Sequence, residues 1–322
     1  MGRKDKAKRG KKDRHRGERS NHDDDYGYND VRESVETLSL SSDEENVHSS
    51  ASLASQANLH EVYEASVQMP KREVQTLFNI HQELYNDPED DSRPTAPEIL
   101  REDFCGTAVL CKEWILRNPL VRKAYGVDLS LLTLKYGREQ HLVNPTLAEN
   151  LQLFHGNVLT IEGVPKADII SALNYGIFYF HERRDLIRYL VRCREGLNEH
   201  GVLIVDAFGG TIVPTGNQKR RRLGGFTYIY TQRDFNPLTN RTMVTLSFKF
   251  SDGSKLKDAF TYDFRVYSLK EITEAMLEAG FKSTHIWIAE ASNDEDEVNE
   301  FQEVEKEFPV MESWNAYIAA TI

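Results

Sequence analysis

Glu102-Asp103-Phe104-Cys105-Gly106-Thr107-Ala108 joins a carboxylate to a run of mostly small residues, and Asp128 follows Glu102 by 26 positions. Small residues let a backbone approach a ligand, and a helix opening at such a run offers unpaired N–H groups to carboxylate or phosphate. A carboxylate at the later position can accept both hydroxyls of a ribose, so the pair points to a cofactor that contains adenosine. A dinucleotide site wants G-x-G-x-x-G, whose glycines admit a pyrophosphate. Here only Gly106 is a glycine and Glu102 sets negative charge near it, which disfavours a nicotinamide-dependent oxidoreductase. A cofactor with a positive ammonium or sulfonium suits that carboxylate better.

Such residues need a scaffold that brings them to one edge. Short apolar runs alternate with amphipathic helices from residue 92 onward, the pattern of a parallel sheet built from βαβ units. Strands are expected at Ile99-Leu100, Ala124–Asp128, Leu151–Phe154, Ala167–Leu173 and Gly201–Asp206. The period then changes to two in Phe226–Tyr230, Met243–Phe250 and Leu256–Tyr262, the last pair divided by Ser251-Asp252-Gly253-Ser254, a hairpin signal. A helix over Leu269–Ala279, stopped by Gly280, precedes two last strands near His285–Ala289 and Trp314–Ile322, separated by an acidic loop and helix from Asn293 to Phe308. The expected fold is doubly wound α/β: a mostly parallel seven-stranded sheet with a three-stranded antiparallel insertion at 211–265. Residues 1–58 read as a disordered charged tail, 59–91 as a helical extension and linker, and 92–322 as the catalytic domain.

In open parallel sheets ligands bind beyond the carboxyl ends of the strands, where Glu102, Gly106 and Asp128 fall. This chain resembles the class I S-adenosylmethionine-dependent methyltransferases. The family's first motif, E/D-x-G-x-G-x-G, maps onto Glu102-x-Phe104-x-Gly106-x-Ala108, with Phe104 and Ala108 standing where the pattern has glycine. The resemblance implies S-adenosyl-L-methionine as cofactor, with Glu102 toward the methionine amino end, Gly106 and Thr107 in the close turn, and Asp128 on the ribose. It also implies Asn157 and Val158 against adenine, and a final strand inserted antiparallel. Asn174 and Tyr175 follow the fourth strand, where the family's cofactor and acceptor meet, and are the candidate catalytic residues. The wording Arg101–Thr107 also resembles one subgroup of the family. The acceptor stays open among small molecule, protein and RNA, and a non-catalytic cofactor-binding module acting through its charged tail is the alternative.

Blander readings stand beside these. Asn157 could be a plain turn residue, and Asn174 could cap the following segment. Tyr175, Phe178, Tyr179 and Phe180 could line a pocket or fill the core, and Asp206 could face the acceptor or cap a helix. Cys105 reads as a small buried filler. The histidines show no metal-ligand spacing, so no metal is expected.

The formal net charge of −11 is unevenly spread: +7 over residues 1–19, −14 over 20–91, and −4 over 92–322. The basic block 1–19 reads as a nuclear-targeting or nucleic-acid-binding tail, and Lys219-Arg220-Arg221-Arg222 as either a solvated loop or a contact for an anionic partner. Residues 20–58 could fold back on that tail. Ser41 and Ser42, each with an acid three residues on, are candidate phosphorylation sites. No apolar run approaches the roughly 18 residues of a membrane helix, and three cysteines are too few for a disulfide framework. An intracellular protein, nuclear or cytoplasmic, is expected. Residues 59–85 are expected to cover the cofactor cleft, and the insertion to roof the acceptor site.

Overall fold

The computed structural model describes residues 51–85, 96–290 and 301–322. Three helices come first: α1 (Leu53–Gln56), α2 (Leu59–Val67) and α3 (Pro70–Leu84). Strands and helices then alternate through β1 (Ile99–Asp103), α4 (Val109–Arg117), β2 (Lys123–Asp128), α5 (Leu131–His141), α6 (Pro145–Asn150), β3 (Leu151–His155), β4 (Ala167–Ala172), α7 (Arg183–Gly196) and β5 (Leu197–Gly209). Four antiparallel strands follow, β6 (Asn217–Leu223), β7 (Phe226–Asn236), β8 (Arg241–Phe250) and β9 (Lys255–Arg265). Last are α8 (Leu269–Glu278), β10 (Ser283–Glu290), β11 (Gln302–Glu303) and β12 (Trp314–Thr321). Among the described residues no helix is long and apolar enough to cross a membrane.

The large sheet has the order β11-β10-β12-β5-β4-β1-β2-β3. Strands β1 to β5 pair in parallel, and β12 runs antiparallel between β5 and β10. The seven expected strands are joined by β11, two residues on the β10 edge. From β1 the chain winds outward through β2 and β3, then returns to place β4 on the other flank of β1. That reversal leaves a crevice beyond the tips of β1 and β4.

Strands covered on both faces must be apolar on both, and alternate residues of β5 show it. Val202 and Ile204 pack with Leu100, Ile169, Trp114 and Leu77 on the face carrying α3, α4 and α6. Leu203 and Val205 pack with Ile170, Leu190 and Met276 on the face carrying α7 and α8. Pro70 breaks the helical run and also starts α3, because a first-turn residue needs no intrahelical N–H.

The structure departs from expectation in three places. The insertion has a fourth strand, β6, and Lys219–Arg222 lie within it instead of in a preceding loop. Alternation turns Arg220 and Arg222 to solvent and half-buries Lys219 and Arg221, whose aliphatic stems supply the inner face that hydropathy misses. Residues 301–308 contain β11 and no helix, while 293–300 lie outside the described residues. The tail expected over 1–58 is ordered at its end: α1 is held by the β8–β9 turn, where Leu53 N donates to Asp252 (2.8 Å) and Ala54 N to Ser254 (3.0 Å). Ser41, Ser42, the block 1–19 and most of the linker lie outside the described residues.

Inside β1, Arg101 and Asp103 form a two-pronged pair (2.8 and 3.1 Å), and the Tyr189 hydroxyl of α7 donates to the same carboxylate (3.0 Å). Arg101 is 5% exposed and Asp103 0%. Removing one partner strands a buried charge, so Asp103→Asn should lower unfolding free energy by about 3 kcal/mol or more in urea titrations. The double change Arg101→Met with Asp103→Leu should cost less than Asp103→Asn alone. A single variant within about 0.5 kcal/mol of the parent would show that the pair does not hold β1 to α7.

Candidate functional site

Between β1 and α4 the backbone turns left-handed at alternate residues: Phe104 (φ 59°), Gly106 (φ 54°) and Ala108 (φ 61°). Each non-glycine residue in that region costs about 1–2 kcal/mol, which is why a glycine pattern fits this path. Packing offsets the cost here. The Phe104 ring lies 5.9–6.0 Å from those of Tyr179, Phe180 and Tyr189, and a Cβ on Gly176 would come within 2.6 Å of it. Ala108 is fully buried as the cap residue of α4, its N–H donating to Cys105 O (2.8 Å). Gly106 is left open: a Cβ there would meet nothing within 4 Å. The opposite holds at Gly137 of α5, where a Cβ would stand 2.3 Å from Thr107 O, so a bare residue lets α5 close on the turn.

Two carboxylates hold this turn. Asp128 accepts the Gly106 N–H and the Ser130 N–H, both at 2.8 Å. Glu102, 5% exposed, accepts from the Cys111 thiol (3.0 Å) and N–H (3.3 Å) under the first turn of α4. Burial pushes Glu102 up to about 8, and the charges of Glu73 and Asp128 add to it. Burial also raises Asp128. Glu64 of α2 behaves oppositely: burial would raise it, but hydrogen bonds from His141 and Thr107 prevail and hold it below the ordinary carboxylate value. The Thr107 hydroxyl donates to Glu64, and His141 Nε2 lies 3.2 Å from the same oxygen. Cys105, 1% exposed, has its thiol pushed well up by burial and is no nucleophile as it stands.

At the tip of β4, Asn174 (φ 56°) and Tyr175 (φ 64°) are both left-handed, and their N–H groups donate to the two oxygens of Asp206 on β5 (2.9 and 2.7 Å). Asp206 is therefore neither a solvated helix cap nor a free surface acid; burial pushes it up to about 7. Glu73 of α3, also raised by burial, acts repulsively on Glu102 and Asp206, which places it near both. Asn157 and Val158 follow β3, two strands from β1. The Asn157 side chain accepts from Leu159 N (2.9 Å), closing its own turn, and Val158 is buried in the core.

The aromatic segment after β4 divides cleanly. Phe178 and Phe180 are 0% and 1% exposed and belong to the core, whereas Tyr175 and Tyr179 keep partial solvent access. They are joined by Tyr63 of α2, Tyr228 and Tyr230 of β7, Tyr262 of β9 and Tyr317 of β12. Tyr63 hydrogen-bonds Tyr262 and packs 4.8 Å from Phe260, while the Tyr175 hydroxyl donates to Asn315 (3.0 Å). Burial raises the phenols of Tyr63, Tyr175, Tyr228, Tyr230, Tyr262 and Tyr317. Groups so densely surrounded that still touch solvent line a cleft, here between the strand tips, α2 and the inner face of the insertion. Arg221 reaches across it, donating to Ser66 O of α2 with its guanidinium 5.6 Å from the Tyr228 ring. Sequence reasoning missed Glu64, Glu73 and the tyrosines of α2, β7, β9 and β12. Only the shared parity of Tyr228 and Tyr230 signalled any of them.

A scan against family models and a search of curated proteins find no match to this chain. Solved structures do match. An S-adenosylmethionine-dependent methyltransferase of Clostridium acetobutylicum superposes with a TM-score of 0.55 at 15% identity, over 81% of this chain and 97% of that one. CalS10, an amino pentose methyltransferase of Micromonospora echinaspora, gives 0.57 at 13% over 87% and 100%. KedS8, a sugar N-methyltransferase of a Streptoalloteichus species, gives 0.53 at 13% over 88% and 98%. The strand order, the antiparallel β12 between β5 and β10 and these superpositions agree that the chain has the fold of the class I S-adenosylmethionine-dependent methyltransferases.

Proposed function

We propose that this chain transfers a methyl group from S-adenosylmethionine to an acceptor held over the tips of β4 and β5. The observation that carries the reading is the left-handed turn with Gly106 open to a ligand and Asp128 beside it, at the sheet's switch point. The donor set fits the cofactor. Glu102 and Asp128, the carboxylates at the turn, are both raised by burial, so a positive group arriving beside them relieves the cost of burying them. When bound, S-adenosylmethionine supplies an electrophilic methyl on a sulfonium whose charge disappears on transfer. The chain's own task is then positioning and exclusion of water. Asp128 offers carboxylate oxygens to the ribose, and α2 closes the turn from above through Glu64. Asp206 holds the Asn174-Tyr175 turn against the acceptor, and β7 and β9 roof it with tyrosines. CalS10 and KedS8, by their descriptions, methylate amino or sugar acceptors, which supports a small-molecule acceptor.

Gly106→Ala should cost about 1 kcal/mol of stability from its positive φ but at least about tenfold in affinity for S-adenosylhomocysteine, because the new methyl enters the ligand's space. Asp128→Asn should lose about tenfold as well. Calorimetric titration beside thermal unfolding separates the two effects. Unchanged affinity in both variants, with the proteins folded, would refute the site.

Because Glu64 is held below its ordinary value of about 4.5, its stabilising bonds are complete above that pH and are lost as pH falls through the lowered value. Proteolysis within 59–67 should therefore accelerate on acidification below the ordinary glutamate value, and at neutral pH in Glu64→Gln. Saturating S-adenosylhomocysteine should slow it in both cases. Cleavage independent of pH and ligand would show that α2 does not cover the site.

A further inference from the structure

The cleft is chemically lopsided. Glu73, Glu102, Asp128 and Asp206 contribute carboxylates from four elements, and each is pushed up by burial. Two guanidinium groups stand at its rim: Arg72, which acts on Glu73 and lies 6.0 Å from the Phe301 ring, and Arg221, tied to Ser66 O. The cofactor of the proposed function carries a sulfonium and an ammonium against one carboxylate, a net single positive charge. Acceptor-side carboxylates thus remain uncompensated once it is in place.

The acceptor side has a second, independent feature in its tyrosines. Tyr63, Tyr175, Tyr179, Tyr228, Tyr230, Tyr262 and Tyr317 arrive from five separate segments and keep solvent access. Tyr175 interacts with Asp206, Tyr228, Tyr230 and Tyr317, and Tyr262 with Tyr63, Tyr179 and Tyr228, so the hydroxyls converge on one volume. Electron-rich ring faces attract a cation, and phenol oxygens accept from its N–H groups. Each Asp206 oxygen takes one backbone N–H (2.9 and 2.7 Å), which leaves each a further lone pair.

We propose that the acceptor is an amine, bound as its ammonium form within the tyrosine ring and against Asp206 and Glu73; this rests on the methyltransferase reading. Asp206 takes a proton from the ammonium and exposes the nitrogen lone pair. That pair forms the N–C bond as the C–S bond of the sulfonium donor breaks, its electrons staying on sulfur. The product leaves as an ammonium that keeps its remaining N–H protons, and Asp206 gives the proton it took to solvent. A hydroxyl acceptor has no charge with which to compensate the acids.

The test measures binding and product together. Cyclohexylamine, benzylamine and glucosamine are each titrated against the S-adenosylhomocysteine complex beside cyclohexanol, benzyl alcohol and glucose, and the methylated atom of any turnover product is read by NMR. At pH 7 at least one amine should bind about tenfold or more tighter than its alcohol, and any product should be N-methylated. Glu73→Gln, which spares the β4 turn, should cut the amine-to-alcohol ratio about fivefold and leave affinity for S-adenosylhomocysteine within about twofold; Asp206→Asn should do the same if it folds. No amine bound better than its alcohol, an O-methylated product, or a ratio indifferent to Glu73→Gln overturns the proposal. Failure of S-adenosylhomocysteine to bind would sink the methyltransferase reading instead.

Discussion

Phe104, Gly106 and Ala108 carry a left-handed backbone at every second residue where β1 becomes α4, and a path of this kind cannot stand unsupported. Its supports come from every direction. Asp128 takes the Gly106 amide, the Phe104 ring is wedged against α7 and the segment after β4, and α5 approaches through Gly137. The turn is thus the point at which both layers of helices meet the sheet. It also sets the start of α4, and so the place where Glu102 lies beneath the Cys111 amide.

Two additions to the sheet meet over that turn. The insertion presents an inner face of Tyr228, Tyr230 and Tyr262, and the N-terminal helices present Tyr63, Glu64 and Glu73. Both are attached at α2, one through Glu64 and Thr107, the other through Arg221 and the Ser66 carbonyl. An electrostatically costly cleft survives because the two apolar layers of the sheet stabilise the frame around it.

Much of this was legible before any coordinates. The runs around Val127, Ile169-Ile170 and Leu203–Val205 are too apolar for anything but strands buried on both faces, and Asp252-Gly253 marked the β8–β9 turn correctly, Gly253 taking φ 86°. Turn residues 102–108 and Asp128 were legible because backbone geometry constrains them locally. Strand β6 was not, since an edge strand reading Gln218-Lys219-Arg220-Arg221-Arg222 has no hydrophobic alternation to detect. Glu73 and the scattered tyrosines were invisible for another reason: nothing local separates a tyrosine facing a cleft from one filling a core. Phe178 and Tyr179 are adjacent in the chain, and only the tertiary arrangement assigns them different environments.

The double attachment of α2, at Glu64 and Ser66, has a kinetic consequence. A ligand lying under it cannot leave until the Glu64 contacts with Thr107 and His141 and the Arg221 contact with Ser66 are broken. These are charge-assisted bonds, stronger than neutral ones, so opening is an activated event with its own barrier. Under the proposed function, residence time, and with it the rate at which spent cofactor is exchanged, would be a property of one nine-residue helix that takes no part in the chemistry.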